Sequence, residues 1–248
     1  MKLATVIMAA GKGKRMRNPE KSKVMFELKS KPMIEYVINL ALKIHSDLII
    51  PIVGHQKQSV IDFLSEKFSH DIDRIKFAHQ DEQLGTGHAL MQTRELLENF
   101  DGDVLILSGD VPLLKYETVM KFLNYHYDNH FQASMLSAMF ENPFGYGRVI
   151  RDENDTLLET VEEKDATDEQ RKIKEINSGI YIVNCKLLFE ALQTLKTDNA
   201  QGEYYLTDIF KYFRDNKIKI GAVPVDDNLE ITGINTVEQL EELEKLID

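Results

Sequence analysis

The feature that most constrains the fold is a regular alternation of short apolar runs with amphipathic segments through the first half of the chain. Residues 3–10 and 104–107 are almost continuously apolar, which is typical of strands that are buried on both faces. Between these runs, apolar residues recur at spacings of three and four, which indicates helices. Strands that alternate with helices in this way predict a mostly parallel sheet with right-handed crossovers. The predicted fold class is therefore α/β, with a doubly wound, Rossmann-like sheet.

Individual elements can be placed within this first half. Pro32 is expected to open the first helix, because its fixed φ suits a first helical turn. Residues 48–54 form a second apolar run, but Pro51 cannot donate to a strand ladder, so we expect an edge strand or a bulge there. The other elements predicted in this half are a helix over 60–68, a short strand near 75–78 and a helix over 87–97.

After about residue 130 the pattern changes to short strands joined by turns. These strands are predicted at 135–140, 148–151, 156–161 and 180–183, followed by helices at 186–195 and 205–216 and a strand at 218–225. Thr236 and Gln239 form a capping-box pattern that starts a last helix. Because no linker, repeat or low-complexity tract divides the chain, we interpret residues 1–235 as one domain with a β-rich insertion. Residues 236–248 form a C-terminal helix whose end at Asp248 is unfavourable for the helix dipole.

Composition excludes several classes of protein. The net charge of −11 argues against a general nucleic-acid binder, and no stretch approaches the ~20 apolar residues of a membrane span. The single cysteine, Cys185, cannot form an internal disulfide, and it is expected to be a small structural residue. The apolar run at the N-terminus is too short for a signal peptide. We therefore expect a cytoplasmic protein that binds neither nucleic acid nor a membrane.

One short segment contrasts with this acidic background. Residues 11–31 carry eight lysines and arginines but only two glutamates, and the segment begins with Gly11 and Gly13 directly after a buried strand. Small residues let backbone N–H groups approach phosphate oxygens, and cations neutralise the phosphate charge. The loop is not a P-loop, and it is not a dinucleotide fingerprint because Met16 stands where a third glycine is required. The spacing alone is compatible with a phosphate site or with an ordinary tight turn.

Longer motifs resemble those of the sugar-1-phosphate nucleotidyltransferases. The loop at 9–16 resembles the signature of that family, and the whole chain is similar to the uridylyltransferase half of the bacterial bifunctional N-acetylglucosamine-1-phosphate uridyltransferase/acetyltransferases. The other matching segments are 82–89, 109–113, 145–148, 163–171, 175–179, 201–208 and 233–235. The hexapeptide repeats of that family's left-handed β-helix do not occur in this sequence. We therefore expect neither acetyl transfer nor the trimer interface that the β-helix forms, although another oligomer is possible.

The resemblance implies Mg²⁺-dependent transfer of UMP from UTP to N-acetylglucosamine-1-phosphate, with release of pyrophosphate. A phosphate monoester is already largely anionic near neutral pH, so the attack needs no side-chain base. Catalysis is then expected from positioning and charge neutralisation. The alternatives are the same chemistry on another sugar 1-phosphate, or a non-catalytic protein that binds sugar nucleotides. An NAD-dependent oxidoreductase is disfavoured by Met16 and by the cations around it.

The resemblance also assigns residues. It implies that Arg15 and Lys23 are catalytic and that Asp110 and Asn235 are the Mg²⁺ ligands. Substrate contacts carried over by the same matches are Met8, Ala9, Ala10, Gly11, Lys12, Gly13, Gln80, Gly85, Thr86, Ser108, Gly109, Gly147, Glu162, Asn177 and Asn235. Within this set, Gln80, Gly85 and Thr86 match residues that read uracil, and the Gln80 amide can pair with both a carbonyl and an imide N–H. The residues that match contacts to N-acetylglucosamine are Gly147, Glu162 and Asn177, with Tyr146 as a possible wall of the pocket.

Considered without the resemblance, several of these residues have simpler explanations. Asp110 and Asn235 are each compatible with a helix cap, and Glu162 lies in an acidic stretch that is typical of a solvated turn. His126 and His130 have a helical spacing that suits a metal, but no further ligand pattern accompanies them, so we expect no metal there.

The sequence departs from the family pattern close to the assigned lysine. Ser22 replaces the usual proline, and the stretch before Lys23 is one residue longer, so that Lys21 and Lys23 both fit the role of the family lysine. Ser108 stands where the family commonly has tyrosine. None of these differences removes a charged catalytic group, and we expect an active enzyme.

Overall fold

The structure is a computed structural model that describes residues 2–247. Its strands are β1 (Leu3–Ala9), β2 (Glu27–Leu28), β3 (Lys31–Pro32), β4 (Leu48–Val53), β5 (Ala78–His79), β6 (Asp103–Ser108), β7 (Ala133–Met139), β8 (Arg148–Arg151), β9 (Leu157–Val161), β10 (Glu175–Asn184) and β11 (Ile220–Pro224). Its α-helices are α1 (Met33–Lys43), α2 (Lys57–Lys67), α3 (Thr86–Met91), α4 (Arg94–Leu97), α5 (Tyr116–Asp128), α6 (Asp168–Arg171), α7 (Cys185–Leu192), α8 (Ile209–Asp215) and α9 (Val237–Leu246).

The main sheet has the strand order β11-β7-β10-β6-β1-β4-β5. β1 lies inside the sheet and is parallel to both of its neighbours, β4 and β6. β10 is antiparallel to β6 and β7, whereas β11 is again parallel to β7. β8 and β9 extend the sheet from β10 as an antiparallel ribbon. The mostly parallel sheet is therefore confirmed, and the β-rich part of the chain continues the same sheet.

Helices cover both faces of this sheet, as a doubly wound fold requires. Along β1, Ala4 and Val6 pack into a core shared with α3, α7 and α8. Leu3, Ile7 and Ala9 point to the opposite core, which contains side chains of α1, α2 and α5. This alternation follows from the two-residue period of a strand, so one continuously apolar run supplies both cores. A third, smaller cluster joins α9 to Met16 and Leu28.

Pro51 does not mark an edge strand, contrary to the prediction. β4 lies between β1 and β5 in the sheet. The carbonyls of Ile49 and Val53 accept hydrogen bonds from the β5 side, and Pro51 has the same parity, so its nitrogen faces β5 as well. Pairing on this side is interrupted at Pro51, between the Ile49–Ile75 bridge and the Ile52–Ala78 pair, which is where a residue without an N–H fits.

Two other elements differ from the prediction. β10 covers Glu175–Asn184 rather than residues 180–183, because polar residues in its first half hide the strand pattern. The predicted helix at 87–97 is divided into α3 and α4. At the division, the buried Thr93 hydroxyl donates to the Leu90 carbonyl at 2.7 Å, a local bond that competes with regular helix geometry.

The last helix begins where the capping box predicts. The Thr236 side chain accepts a hydrogen bond from the Gln239 N–H, and the Gln239 side chain accepts one from the Thr236 N–H. Asp248, the predicted end of this helix, lies outside the described residues. None of the helices formed by residues 2–247 is long and apolar enough to cross a bilayer.

Candidate active site

The candidate site lies at the carboxyl ends of β1 and β6, which are neighbours in the sheet. Met8 and Ser108 are paired in register, and the Gly109 N–H donates to the Met8 carbonyl at 3.0 Å. The glycine loop after β1 and Asp110 after β6 are therefore brought to the same edge. In open α/β sheets this edge is where ligands bind, because the loops there leave a crevice.

The glycine loop presents its cations on an anchored turn. Gly13 has φ +55°, and a Cβ there would lie 2.8 Å from Lys23 Cβ, so both backbone and packing require glycine. Met16 is buried, whereas Lys12 and Arg15 are exposed. Within residues 2–247, neither of these two cations forms an ion pair, so their charge faces solvent. A loop of this kind suits a polyanion that brings its own negative charge.

Lys23 joins segments that are far apart in the sequence. Its Nζ donates to Asn235 Oδ1 at 2.7 Å and forms an ion pair with Asp110 Oδ2. Arg15 Nη2 donates to the same Asn235 oxygen at 3.0 Å. We call Gly13, Arg15, Lys23, Asp110 and Asn235 the basic cluster.

The basic cluster distinguishes between alternatives that the sequence left open. Lys23 lies in the cluster, while Lys21 Nζ lies 5.2 Å from the centre of the Phe26 ring. Thr236, and not Asn235, caps α9. Asp110 caps no helix either, because α5 begins at Tyr116 with Lys115 as its N-cap.

The chemistry of Asp110 and Asn235 fits a magnesium ion. Their oxygens converge on a single cation, the Lys23 ammonium, and carboxylate and amide oxygens are the hard donors that Mg²⁺ prefers. Among residues 2–247, no group of three or more His, Cys, Asp or Glu side chains is placed to hold a metal. A magnesium ion at this pair would therefore take its remaining ligands from water and substrate phosphates, as Mg²⁺ commonly does.

A cavity of about 270 Å³ adjoins the basic cluster. Its lining includes ten of the residues assigned from the sequence, which are Met8, Ala9, Ala10, Gly11, Lys23, Gln80, Gly85, Thr86, Ser108 and Asp110. Val24, Gln83, Ala89 and Glu203 also line it and were not assigned. The matched segments at 82–89 and 201–208 contain three of these four, which is the sequence signal that was available.

The segment at 204–206 forms hydrogen bonds with residues 86–87, which lie beside this cavity. The Gly87 N–H donates to the Tyr204 carbonyl at 2.8 Å, and the Leu206 N–H donates to Thr86 Oγ1 at 3.0 Å. Gly85 has φ +112°, and a Cβ there would lie 2.6 Å from the Tyr204 oxygen. The close approach of two backbones thus requires glycine at position 85.

Gly147, Glu162 and Asn177 form a separate group, which we call the ribbon cluster because it lies at the open end of the β8–β9 ribbon, where Gly147 precedes β8 and Glu162 follows β9. The Asn177 N–H donates to the Gly147 carbonyl at 2.9 Å, and a Cβ on Gly147 would lie 3.5 Å from Glu162 Oε2. None of the three lines the cavity beside the basic cluster. The structure therefore brings the assigned residues together as two groups.

The two groups are adjacent. A Cβ on Gly179, close to Asn177 in β10, would lie 3.7 Å from Ser108 Oγ. Tyr146, next to Gly147, is partly buried, and its pKa is raised by that burial and by the nearby charge of Asp110. The ring of Tyr146 packs on Phe140, with 5.1 Å between ring centres.

Glu162 is not part of a solvated turn, contrary to the simpler expectation. It is partly buried, and Oε1 accepts a hydrogen bond from Thr207 Oγ1 at 3.1 Å. Burial raises the pKa of Glu162, and the carboxylates of Asp208 and Asp165 raise it further, while the Thr207 hydrogen bond opposes the shift.

Asn177 is also held by its neighbours. Its Oδ1 accepts from the Gly179 N–H at 3.0 Å, which identifies the oxygen end of the amide. Its Nδ2 donates to Tyr181 Oη at 2.7 Å, and the Tyr181 side chain is buried. Thr207 and Tyr181 were not assigned from the sequence, because only the fold brings them to Glu162 and Asn177.

A larger cavity lies elsewhere in the described part of the chain. It has a volume of about 590 Å³ and lies between β9 and α8, where Glu162 contributes to its wall. Its carboxylates are Glu159, Glu162, Asp165, Asp198, Asp208 and Asp215, against Lys196 and Lys211. This excess of negative charge makes it unsuitable for phosphates, so size alone does not identify the site.

Residues interpreted as structural lie away from the site. His126 is buried, its ring nitrogen Nδ1 is 2.9 Å from Ser134 Oγ, and burial lowers its pKa to about 4. Cys185 is buried at the start of α7, and burial raises the pKa of its thiol to about 11. Both fit the interpretation of core residues.

The sequence matches the family model for nucleotidyl transferase over residues 4–229. The curated relatives include "Bifunctional protein GlmU" of Geotalea daltonii, 46% identical over 246 residues, which cover 99% of this chain and 52% of the relative. The protein of the same name from Thermoanaerobacter pseudethanolicus is 44% identical over 245 residues, which cover 99% of this chain and 51% of that protein. This chain thus spans about half the length of these relatives.

A solved structure supports the same fold. A UDP-glucose pyrophosphorylase complexed with UDP-glucose superposes with a TM-score of 0.80 at 17% identity, covering 99% of this chain and 98% of that one. At this identity the similarity concerns the fold. The family match covers most of the sequence, and the chain therefore belongs to the nucleotidyl transferase family.

Proposed function

We propose that this protein transfers UMP from UTP to N-acetylglucosamine-1-phosphate in a Mg²⁺-dependent reaction that yields UDP-N-acetylglucosamine and pyrophosphate. The observation that carries the proposal is the convergence of Lys23, Asp110 and Asn235 beside a cavity lined by Gln80 and Gly85. Family membership supports nucleotidyl transfer, and the motif resemblance supports these substrates.

In the proposed reaction, an oxygen of the sugar's phosphate attacks the α-phosphorus of UTP. A new phosphorus–oxygen bond forms, the bond from the α-phosphorus to the bridging oxygen breaks, and pyrophosphate leaves with that electron pair. Both reactants are anions, so the main barrier is electrostatic, and correctly placed cations lower it.

The glycine loop and the basic cluster fit this requirement. The exposed Lys12 and Arg15 are available to the β- and γ-phosphates, and the fork of Arg15 suits two phosphate oxygens at once. Lys23 is partly buried and lies on the wall of the cavity, where its charge is less screened than that of the loop. Lys23 is therefore proposed to neutralise charge near the α-phosphate.

Asp110 and Asn235 would hold Mg²⁺. When bound, the ion supplies charge neutralisation to the phosphates and to the departing pyrophosphate. The Lys23 ammonium contacts the same two oxygens, so the chain itself keeps these ligands together with an internal cation.

The ribbon cluster is proposed to bind the sugar. With its oxygen held by Gly179 and one hydrogen by Tyr181, Asn177 retains a second amide hydrogen for a sugar hydroxyl or acetamido oxygen. Glu162 accepts from Thr207 through one oxygen and retains the other for a hydroxyl. Orienting these groups before binding reduces the entropy that binding costs.

The proposal is tested by measuring pyrophosphate release from UTP, Mg²⁺ and N-acetylglucosamine-1-phosphate. Wild-type chain is expected to release pyrophosphate. Release by Lys23→Ala and by Asp110→Ala is expected to be at least about 100-fold slower. A panel with glucose-1-phosphate and galactose-1-phosphate separates this function from the same chemistry on another sugar. Binding of UDP-N-acetylglucosamine without turnover on any sugar phosphate would contradict the proposal and indicate a sugar-nucleotide-binding protein.

A further inference from the structure

The Gln80 amide is held in a single orientation by the protein. Gln80 is buried and lines the cavity of the candidate site. Its Nε2 donates to the Gly85 carbonyl at 3.0 Å and lies 3.2 Å from His88 Nδ1. A backbone carbonyl can only accept a hydrogen bond, so the Gly85 contact identifies the nitrogen end of this amide.

Both hydrogens of the Gln80 amide are therefore directed to protein groups. One is directed to the Gly85 oxygen and the other to the His88 ring nitrogen. The group that the amide can offer a ligand is its carbonyl oxygen. The expectation that Gln80 pairs with both a carbonyl and an imide N–H is thus replaced by pairing with an N–H alone.

His88 is fixed from more than one direction. Its ring stacks on Tyr204 with 6.4 Å between ring centres and an angle of 28° between planes. On the other edge, His88 Nε2 lies 3.2 Å from Gln92 Nε2, one turn along the chain. Because Gly85 fixes the Gln80 amide, Nδ1 is the ring nitrogen that must accept, which places the proton on Nε2 in the neutral ring. Gln92 Nε2 also donates to the His88 carbonyl at 3.0 Å, so a proton on His88 Nε2 requires the Gln92 amide to reverse and lose that bond. Gln92 is only partly buried, so this reversal costs less than reversal of the buried Gln80 amide against the Gly85 carbonyl.

We infer that His88 is a positioning residue that makes the site select pyrimidines with a protonated N3, such as uracil, over cytosine. The inference rests on the proposed function only for the placement of the base against Gln80. Uracil N3–H donates to the Gln80 oxygen. Cytosine N3 carries a lone pair, which faces that oxygen without a proton between them, and an unpaired buried acceptor is costly.

Removal of the acceptor at His88 leaves the Gln80 amide with one restraint instead of two. Reversal of the amide, which presents its NH₂ group to cytosine N3, then costs only the hydrogen bond to the Gly85 carbonyl. The specific consequence is a loss of discrimination between UTP and CTP, which a purely structural role of His88 would not produce.

The experiment measures dissociation constants of UTP and CTP, each with excess Mg²⁺, by titration calorimetry. His88→Phe keeps a ring against Tyr204 but has no acceptor, and His88→Leu is a second variant of this kind. His88→Asn offers an acceptor close to the position of Nδ1 and serves as the conservative variant. Gln92→Ala, on the other side of the ring, is the matched control, and thermal melting verifies folding of each variant.

Wild-type chain is expected to bind UTP at least roughly tenfold more tightly than CTP. His88→Phe and His88→Leu are expected to reduce this ratio about fivefold or more, whereas His88→Asn and Gln92→Ala keep it within about twofold. A folded His88→Phe or His88→Leu that retains the wild-type ratio overturns the inference alone. Wild-type chain that binds both nucleotides equally also overturns it, while nucleotidyl transfer stands. Wild-type chain that binds neither nucleotide overturns the proposed function and this inference together.

Discussion

The glycine loop and the ribbon cluster differ in how their polar groups are held before any ligand arrives. In the glycine loop, Lys12 and Arg15 are exposed and form no ion pair with other described residues. In the ribbon cluster, Glu162 is held by Thr207, and Asn177 is held by Tyr181 and Gly179. One group presents unpaired charge, and the other presents oriented neutral or singly charged acceptors and donors.

The difference follows from the ligands that each group is proposed to bind. A triphosphate has enough charge to order flexible cations, because each charge-assisted hydrogen bond is strong. A sugar hydroxyl offers only about 1 kcal/mol per hydrogen bond, so ordering a side chain during binding would cancel the gain. The predictions below test this contrast, starting with the largest effect.

Replacement of Lys23 by alanine is expected to have the largest effect. Lys23→Ala removes the cation that contacts both Asp110 and Asn235, so pyrophosphate release is expected to fall by at least about 100-fold. Lys21→Ala removes the same charge two residues earlier, where the ammonium lies over Phe26, and the rate is expected to stay within about threefold. A greater loss in Lys21→Ala than in Lys23→Ala would show that the wrong lysine has been assigned. The measurement is the initial rate of pyrophosphate release.

A matched pair of glycine substitutions compares the two clusters directly. Gly13→Ala forces alanine into φ +55° and against Lys23, so the free energy of unfolding is expected to fall by about 1–2 kcal/mol, and the KM for UTP is expected to rise. At Gly147 the new methyl group would meet Glu162 Oε2 at an ordinary 3.5 Å. Gly147→Ala is therefore expected to leave stability unchanged and to raise only the KM for the sugar phosphate. Denaturant melts and steady-state kinetics give both quantities, and an increased KM for UTP in Gly147→Ala would contradict the division into two clusters.

The pH dependence of stability tests whether the charged form of Glu162 destabilises the folded state. Because burial raises the pKa of Glu162, the folded state favours the protonated form, and the stability that this provides is lost as pH rises through the raised pKa. Glu162→Gln resembles the protonated form at every pH. It is expected to melt higher than wild type near pH 7, with the difference vanishing below the ordinary glutamate pKa of 4.5, while the KM for the sugar phosphate rises.

Glu175 is a control, because its pKa is shifted in the opposite direction to that of Glu162. Burial opposes ionisation there, but hydrogen bonds from Arg151 and Ser137 more than compensate and lower the pKa of Glu175. Its contribution to stability is present above the ordinary pKa and lost as pH falls through the lowered one. Glu175→Gln is therefore expected to melt lower than wild type at pH 7, with a smaller difference in acid. Parallel pH profiles for the two variants would contradict the interpretation of Glu162.

The smallest expected effect concerns Ser22, which precedes Lys23. Ser22 is buried, and its hydroxyl has no hydrogen-bond partner in the part of the chain that the structure describes. Ser22→Ala is expected to raise the free energy of unfolding by about 0.5–1 kcal/mol, since it removes an unsatisfied polar group. Its φ of −59° suits proline, so Ser22→Pro is expected to stabilise by a similar amount.

The matched control for Ser22 is Ser178. The Ser178 hydroxyl donates to the Leu136 carbonyl at 2.7 Å, so Ser178→Ala is expected to lower the free energy of unfolding by about 1 kcal/mol. Urea denaturation measures both variants. Destabilisation by Ser22→Ala comparable to that of Ser178→Ala would show that the Ser22 hydroxyl has a partner, such as a bound water.

Local sequence patterns were sufficient to predict the elements that are uniformly buried or that begin with a recognisable cap. β1 and β6 are recognisable because both faces are buried, so nearly every residue is apolar. α9 is recognisable from its capping box, which depends on residues three positions apart. The first half of β10 was missed because Asn177 and Ser178 are polar, and their distant partners are the Gly147 carbonyl for the Asn177 N–H and the Leu136 carbonyl for the Ser178 hydroxyl.

In the candidate site, too, some features could be predicted from the sequence and others could not. The motifs placed Gly11 and Gln80 at one site, and both line the cavity of about 270 Å³. The choice between Lys21 and Lys23 was open, because each lysine is equally basic as a residue type. The partial burial of Glu162 did not follow from its acidic stretch, since its hydrogen-bond partner Thr207 lies 45 positions away in the sequence.

The sequence by itself determined the α/β class and the residue types available at the candidate site, because these depend on short-range periodicity and on motifs. Only the tertiary structure decided which lysine meets Asp110 and Asn235, which way the Gln80 amide faces, and that Glu162 is partly buried. The physical reason is that orientation, charge pairing and desolvation depend on contacts between residues far apart in the chain. Such contacts exist only once the sheet has brought those segments together.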